Sequence, residues 1–326
     1  TCIITNKTIG TLYRERLAAS LENTDFQTVV IEIEDGEEYK SLETASELYG
    51  RMCEAKIERF TPVIGLGGGV VGDLAAYIAS TYLRGLPFYN IPTSLIAQVD
   101  SSIGGKTGVN LKYGKNLVGT FCQPVYVHTD IELLNTLDKR EFKSGMAEVV
   151  KHAIIKGEKF LDFLEKNMDS ILKLDTDVLE IMISECVKIK GDIVMEDEKE
   201  TGLRRLLNLG HTLGHGLEAA GGYGKIKHGE AIAIGMIAAS EIACRSKKGS
   251  RELTDRIRCL LQGCGLPVRI HPDINTEEIL NAMHLDKKVR DRKLEFVLPV
   301  KPGEVVAGVA VDEQLIREVI EDMYEK

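Results

Sequence analysis

The sequence has 326 residues, of which 44% are hydrophobic and 28% charged, the composition of a globular protein with room for two domains. Its formal net charge of −9 argues against non-specific nucleic-acid binding, since such binding relies on a basic surface. The sequence shows no apolar run near the roughly 20 residues of a membrane span, no signal peptide and no C-x-x-C pair among its seven cysteines, so we expect a cytoplasmic protein with free thiols.

Short β-rich runs alternate with helical patterns in the first half of the chain. Strands are predicted at 2–5, 28–33, 62–66 and 87–91, and helices at 11–21, 41–56 and 73–83. Such alternation is typical of β-α-β units around a parallel sheet. We therefore predict a Rossmann-like, nucleotide-binding α/β domain over residues 1–137.

Helical patterns dominate from about Asp138 onward. They cover 142–156, 159–166, 177–195, 203–220, 229–244 and 253–264, and the one strand-like run is 294–298. Runs of one element type after the other indicate segregated domains. The predicted fold class is α/β, with the N-terminal parallel-sheet domain followed by a mostly α-helical, metal- and substrate-binding domain over residues 138–326.

A glycine-rich segment at 65–73 follows a predicted strand and opens a helix. Gly67, Gly69 and Gly72 match the G-x-G-x-x-G spacing, in which glycines let the backbone approach a pyrophosphate at a helix N-terminus. The acidic residue expected about 20 positions later is missing, and Asp73 follows the glycines directly. A glycine-rich packing turn is the alternative interpretation.

Histidines cluster in the second half of the chain. His211 and His215 are four apart and would share one face of a helix, and His228 follows before an apolar helical run. Two imidazoles with one carboxylate, for which Glu148 is a candidate, form a typical catalytic site for a divalent metal such as zinc. Satisfied core histidines and a solvated Glu148 are the alternative.

Several cations lie in small, apolar or glycine-rich surroundings. They are Lys106, Lys115, Lys151, Lys190 and Arg204. Lysine and arginine are the usual partners of phosphate oxygens, so these positions are candidates for binding a phosphorylated substrate. A solvated surface charge is the alternative for each, although the two glycines before Lys106 favour a close approach of backbone to ligand.

Seven motifs taken together resemble the 3-dehydroquinate synthase family. They are residues 67–73, 91–94, 99–107, 114–116, 147–151, 208–215 and 228–231, and they follow one another in the family's order over nearly the whole chain. The resemblance implies that Glu148, His211 and His228 bind zinc or cobalt. His215 would then contact the substrate phosphate or support a ligand, whereas spacing alone pairs it with His211.

The resemblance also implies the remaining site residues. Those expected to bind NAD are Asp35, Gly36, Glu37, Glu38, Tyr39, Lys40, Gly69, Val70, Val71, Gly72, Asp73, Thr93, Ser94, Lys106 and Lys115. Those expected to bind substrate or take part in catalysis are Asp100, Lys106, Asn116, Lys151, Lys190, Arg204, Asn208, His215, Lys287 and Lys288.

The implied activity is that of a phosphate-eliminating carbon–oxygen lyase of the shikimate pathway, which supplies aromatic amino acids. Its members convert 3-deoxy-D-arabino-heptulosonate 7-phosphate to 3-dehydroquinate and phosphate, through transient oxidation by NAD, phosphate elimination, re-reduction, ring opening and intramolecular aldol closure. A homodimer is also implied. The alternatives are a sister cyclase acting on sedoheptulose 7-phosphate or glucose 6-phosphate, a metal-dependent polyol or glycerol-phosphate dehydrogenase, and a non-catalytic binding module.

Overall fold

The computed structural model describes residues 1–22, 27–222, 225–286 and 294–325, and the chain divides into two compact units, Thr1–Leu137 and Asp138–Lys326. The second unit begins at a helix cap, because the Asp138 carboxylate accepts hydrogen bonds from the backbone N–H groups of Arg140 and Glu141. Within the described ranges, every helix is too short or too polar to cross a lipid bilayer.

Unit 1 is built from β-α-β repeats followed by a hairpin. Its elements are β1 (Cys2–Asn6), α1 (Lys7–Glu22), β2 (Val29–Ile33), α2 (Leu42–Glu54), β3 (Val63–Gly67), α3 (Gly69–Thr81), β4 (Phe88–Pro92), β5 (Lys106–Leu111), β6 (Gly114–Phe121) and β7 (Tyr126–Val127). The described strands β2-β1-β3-β4-β7 form, in that order, a parallel sheet. The predicted α/β fold class is thereby confirmed.

Alternate residues of the sheet face opposite layers of helices. Ile4 belongs to a core shared with Leu74 of α3, whereas its neighbour Ile3 packs on the opposite side with Tyr13 and Leu17 of α1. Both faces are therefore covered, as a parallel sheet requires. The strand order reverses between β1 and β3, so the carboxyl ends of these strands flank the crevice where such sheets bind ligands.

The hairpin β5–β6 was not predicted, because glycines interrupt its β-branched residues. Gly108 and Gly119 face each other across the strands, and a Cβ on Gly119 would lie 2.0 Å from the carbonyl oxygen of Thr107. The two hydroxyls of Thr107 and Thr120 pair at 3.0 Å. Backbone pairing and this close approach stabilise the hairpin, and neither appears in a hydropathy pattern.

Unit 2 consists mostly of helices around one buried helix, α8. Its elements are α4 (Lys139–Lys156), α5 (Glu158–Leu172), α6 (Thr176–Glu196), α7 (His211–Ala220), α8 (His228–Arg245), α9 (Arg251–Gly263), α10 (Thr276–Asp286), β8 (Leu294–Lys301), β9 (Glu304–Val311) and α11 (Glu313–Asp322). Nearly every residue of α8 from Gly229 to Ala243 is buried. A helix that is apolar on all sides is expected at the centre of a helical domain.

Three sequence predictions for this unit were wrong. Residues 203–220 do not form one helix: a 3₁₀ helix over Leu203–Asn208 is followed by Gly210 with φ of 83°, a left-handed conformation that stops the first helix before α7 begins. The run at 294–298 is not the only strand, because β9 pairs with β8 across a turn at Gly303. Helices α10 and α11 were also missed.

Candidate metal and cofactor sites

Three helices of unit 2 bring one carboxylate and two imidazoles together. Glu148 lies in the middle of α4 and is fully buried, while His211 and His228 are the first residues of α7 and α8. Each offers a ligand atom, and these atoms all lie within 4.8 Å of one another. The Nε2 atoms of His211 and His228 are 3.7 Å and 3.5 Å from Glu148 Oε1.

The other ring nitrogen of each histidine faces an oxygen. His211 Nδ1 is 3.1 Å from the carbonyl oxygen of Leu209, and His228 Nδ1 is 3.1 Å from Oε2 of Glu218. A nitrogen beside a carbonyl or carboxylate oxygen serves as the N–H donor, which leaves the lone pair on Nε2. Two Nε2 lone pairs and one carboxylate fit a zinc- or cobalt-type centre that keeps a position for substrate.

The helices that carry these ligands meet at glycines. A Cβ on Gly229 would lie 1.9 Å from the carbonyl oxygen of Ser144 on α4, and the Gly229 N–H donates to Ser144 Oγ at 3.0 Å. A Cβ on Gly235 would lie 1.9 Å from the carbonyl oxygen of Gly210, next to His211. Only glycine allows α8 to approach both neighbours this closely.

The two imidazoles of the cluster differ in their electrostatics. Burial and then the nearby Lys151 cation lower the pKa of His211 to about 3. Burial opposes protonation of His228 as well, but its hydrogen bonds to Glu148 and Glu218 outweigh burial and raise its pKa to about 9. Glu148 and Glu218 thus attract positive charge to the His228 ring, and a metal ion bound to Nε2 would take the place of the proton there.

Three predicted substrate-binding cations of unit 2 are buried. Lys151, Lys190 and Arg204 are 1%, 7% and 3% exposed. Lys151 forms an ion pair with Glu148, and Arg204 Nη1 donates to the carbonyl oxygen of Glu198 at 2.5 Å. Buried charges at this density are unusual in a structural core and mark a candidate functional site.

A cavity of about 410 Å³ lies beside the cluster within unit 2. Its lining residues are Glu200, Arg205, Asn208, His211, Thr212, His215, Glu295, Phe296, Val297 and Gly308. Three of them, Asn208, His211 and His215, were predicted, and the rings of the two histidines lie edge to face at 5.3 Å. The cavity is in the size range of small-molecule sites, and its polar walls suit a polyhydroxylated ligand.

A carboxylate that sequence reasoning missed shapes the loop before Arg204. Asp197 caps the end of α6 and accepts hydrogen bonds from the backbone N–H groups of Thr201, Gly202 and Arg204 at 2.7 to 3.0 Å. Desolvation raises the pKa of Asp197, but these donors outweigh it and lower the pKa to about 2. The Asp197 side chain therefore fixes the backbone conformation of the loop that leads to Arg204.

We expect the contribution of Asp197 to stability to depend on pH. Because its pKa falls from 3.8 to about 2 on folding, the contribution is complete above the unfolded value and is lost as the pH drops toward 2. The difference in free energy of unfolding between the parent and Asp197→Asn should therefore shrink between about pH 5 and pH 2. Urea unfolding at several pH values measures this difference, with the exposed Asp192→Asn as the control; a constant difference would contradict the assignment.

In unit 1 the predicted NAD residues other than Lys106 and Lys115 follow strands of the parallel sheet at one edge. The segment 35–40 follows β2, residues 69–73 follow β3, and Thr93 and Ser94 follow β4, at the carboxyl ends of parallel strands. Lys40 is buried, and its Nζ lies 2.5 Å from Asp73 Oδ2 and 2.6 Å from Asn116 Oδ1. The hydrogen bonds of Lys40 thus join all three segments 35–40, 69–73 and 114–116.

The glycine loop after β3 places the N-terminus of α3 at the same edge of the parallel sheet. Gly68 precedes the helix, and no side chain caps the first backbone N–H groups of α3 from this position. A Cβ on Gly67 would collide with Val71, and one on Gly65 would lie 3.1 Å from the Cβ of Ala75. Glycines at positions 65 and 67 therefore permit the close packing of α3 on β3.

The remaining predicted residues have the following positions. Asp100 lies in a π-helical turn over Ala97–Ser101, and Lys106 begins β5. Lys115 and Asn116 lie on β6, and Lys190 lies on α6. Lys287 and Lys288 lie outside the described residues.

Comparison with known proteins assigns both halves of the chain. Family models described as 3-dehydroquinate synthase N-terminal and C-terminal match residues 30–144 and 145–289. The 3-dehydroquinate synthase of Nitrosomonas europaea is 45% identical over 318 residues, which cover 98% of this chain and 86% of the relative. That of Desulforamulus reducens is 46% identical over 303 residues, 93% of this chain and 84% of the relative.

Solved structures share the fold at lower identity. A 2-epi-5-epi-valiolone synthase from Streptomyces hygroscopicus, with NAD⁺ and Zn²⁺ bound, is 30% identical with a TM-score of 0.92, covering 99% of this chain and 90% of its own. A 2-deoxy-scyllo-inosose synthase in complex with carbaglucose-6-phosphate, NAD⁺ and Co²⁺ is 29% identical with a TM-score of 0.90 and the same coverage. Glycerol dehydrogenase from Schizosaccharomyces pombe, 18% identical with a TM-score of 0.69 over 99% of this chain and 82% of its own, shares the fold alone. Since the family models cover most of the chain and curated relatives match nearly all of it at about 45% identity, the chain belongs to the 3-dehydroquinate synthase family.

Proposed function

We propose that this chain converts 3-deoxy-D-arabino-heptulosonate 7-phosphate to 3-dehydroquinate and phosphate, with NAD and a divalent metal ion as cofactors. The observation that carries the proposal is the donor set of the buried Glu148 with the partly buried His211 and His228, in which each Nδ1 is engaged and each Nε2 lies near the carboxylate. The identity of about 45% to dehydroquinate synthases, against 30% or less to the solved sister cyclases, favours this substrate over theirs.

The donor set defines the role of the metal. Glu148, His211 and His228 would hold zinc or cobalt through one oxygen and two nitrogens, a mixture that suits either ion. Lys151 pairs with Glu148 and so orients the carboxylate for one ligand bond. When bound, the ion supplies Lewis-acid activation of substrate hydroxyls, and NAD supplies a hydride acceptor that returns the hydride later in the cycle.

The NAD-binding role falls to unit 1. We assign it to the segment 35–40, the start of α3 from Gly69 to Asp73, Thr93, Ser94, Lys106 and Lys115. The α3 N-terminus offers backbone N–H groups to the pyrophosphate. The ion pair between Lys40 and Asp73 fixes the loop after β2 against α3, so that both walls of the nucleotide site are held before the ligand arrives.

Substrate recognition requires cations for two anionic groups, a carboxylate and a phosphate. In unit 2 Lys190, Arg204 and His215 would hold these groups, and the amide of Asn208 would bind a hydroxyl. A guanidinium suits either anion because its donors match two oxygens at once. Asp100, Lys106, Asn116 and Lys151 complete the proposed substrate and catalytic positions, together with Lys287 and Lys288.

The activity is tested by incubating the protein with the heptulosonate phosphate, NAD and Co²⁺ or Zn²⁺ and measuring phosphate release, with and without a chelator. We expect chelator-sensitive phosphate release without accumulation of NADH. Steady production of NADH without phosphate would instead identify a polyol dehydrogenase. Phosphate release from sedoheptulose 7-phosphate or glucose 6-phosphate, but not from the heptulosonate phosphate, would identify a sister cyclase.

We also propose, from the family resemblance, that the protein acts as a homodimer in the cytoplasm. Light scattering of the purified protein should give twice the mass of the chain at micromolar concentration. A mass equal to one chain would contradict the proposed dimer but would leave the proposed reaction unaffected.

A further inference from the structure

Glu218 is a buried carboxylate that neither the metal set nor the substrate positions include. It lies on α7, and its exposed fraction is 6%. It follows His211 by seven residues and His215 by three, so all three side chains lie on one face of the helix. A buried carboxylate needs a partner that compensates its lost hydration.

That partner is an imidazole of the metal set. Glu218 Oε2 is 3.1 Å from Nδ1 of His228, while Nε2 of the same ring is 3.5 Å from Glu148 Oε1. The ring therefore lies between two carboxylates, one at each nitrogen. His211 differs, because its Nδ1 faces the neutral carbonyl of Leu209. Of the two imidazoles, only that of His228 has a charged partner behind it.

We propose that Glu218 is a positioning residue, whose carboxylate holds His228 with Nε2 directed at the metal and thereby raises the affinity of the site for a divalent ion. The inference rests on the proposed metal site and adds to it. A carboxylate that accepts the Nδ1–H bond fixes both the tautomer and the ring orientation, and it makes Nε2 a stronger electron donor. Removing such partners typically lowers metal affinity about 10- to 100-fold.

An alternative role for Glu218 is direct coordination. One ligand atom each from His215, Glu218 and His228 also lie within 4.8 Å of one another. In that arrangement Glu218 would bind the ion through its own carboxylate oxygen and not only through its hydrogen bond to His228. The two roles differ in whether the effect of Glu218 passes through His228, and a double-mutant cycle measures this dependence.

The test measures Co²⁺ affinity by competition between the Co²⁺-loaded protein and a chelator of known affinity. Glu218→Gln keeps the size of the side chain and removes its charge, and we expect a 10- to 100-fold loss of affinity. The matched control is Glu241→Gln, which alters an equally buried carboxylate that pairs with Arg251 and Arg258. Glu241 lies on α8, about 20 Å along the helix from His228. The control should lose stability but keep the parent's Co²⁺ affinity.

The same substitution in a His228→Ala background completes the cycle; Co²⁺ binds more weakly there, so its affinity is measured by direct titration with excess Co²⁺. If Glu218 acts through His228, Glu218→Gln should cost no further affinity there. A further loss in that background would assign Glu218 as a ligand and overturn the positioning role, as would a Glu218→Gln protein with the parent's affinity. If Glu218→Gln does not fold, Glu218→Asp, which withdraws the carboxylate by one methylene, is measured instead, and unchanged affinity would again overturn the proposal. A parent that binds no Co²⁺ would refute the metal site itself, so the two failures are distinguishable.

Discussion

His228→Ala is expected to lower metal affinity so far that the purified protein carries less than one ion per chain, although added excess Co²⁺ still binds weakly, and to slow phosphate release from the heptulosonate phosphate by about a thousandfold or more. The substitution removes one of three proposed protein ligands and leaves two, Glu148 and His211. Metal ions supply several kcal/mol of charge stabilisation in such reactions, and about 4 kcal/mol corresponds to a thousandfold change in rate.

Elemental analysis of the purified variant gives its metal content, and a phosphate assay gives its rate. His271→Ala is the matched control, because the His271 side chain is 60% exposed and its Nδ1 lies beside Asp273. Thermal unfolding of both variants checks that unit 1 still folds. A His228→Ala protein that retains one metal ion per chain and a normal rate would remove His228 from the ligand set.

Strands β1 to β4 of the parallel sheet in unit 1 were predictable from the sequence because each is a short apolar run bounded by turn residues, whereas the two-residue β7 was not predicted. The two hairpins were not, for a shared physical reason. Glycines at positions 108, 119 and 308 break the β-rich pattern, yet they permit close contacts between strands or with the Arg205 side chain. The stabilising contacts of a hairpin lie across the strands, where no single-segment pattern records them.

The metal cluster, like the hairpins, could not be predicted from a pattern within one segment of the chain. Spacing alone pairs His211 with His215 on one helix, whereas the structure groups His211 with Glu148 and His228, which come from two other helices. The grouping depends on how three helices pack, so only the family resemblance could have indicated it. The assignment of these residues as ligands stays a prediction until metal binding is measured.

Glu218 and Asp197 escaped sequence reasoning although each had a signal. Glu218 continues the helical face of His211 and His215, but its partner His228 belongs to the next helix. Asp197 precedes Thr201 and Gly202 in a polar loop, a composition that favours side-chain to backbone hydrogen bonds. In both cases the carboxylate supports a predicted residue and would not itself touch the substrate.

Gly235→Ala is expected to destabilise unit 2 by about 3 kcal/mol, the upper end of the usual cost of overpacking, and to weaken Co²⁺ binding as well. The new methyl group would meet the carbonyl oxygen of Gly210 at 1.9 Å and the backbone nitrogen of Gly214 at 3.1 Å. Both contacts are with backbone, so no rotamer change relieves them. Helix α7 must move away from α8, and His211 moves with it.

The control is Gly191→Ala, also within a helix, where a Cβ would meet nothing within 4 Å. Alanine there should stabilise the protein by about 0.5–1 kcal/mol, because it restricts the unfolded chain and favours the helix. Urea unfolding and chelator competition for Co²⁺ are measured on both variants. If Gly235→Ala matches Gly191→Ala in stability and in Co²⁺ affinity, α8 can shift away from the Gly210 carbonyl at little cost. The close approach of the two helices would then not be what holds His211 beside Glu148 and His228.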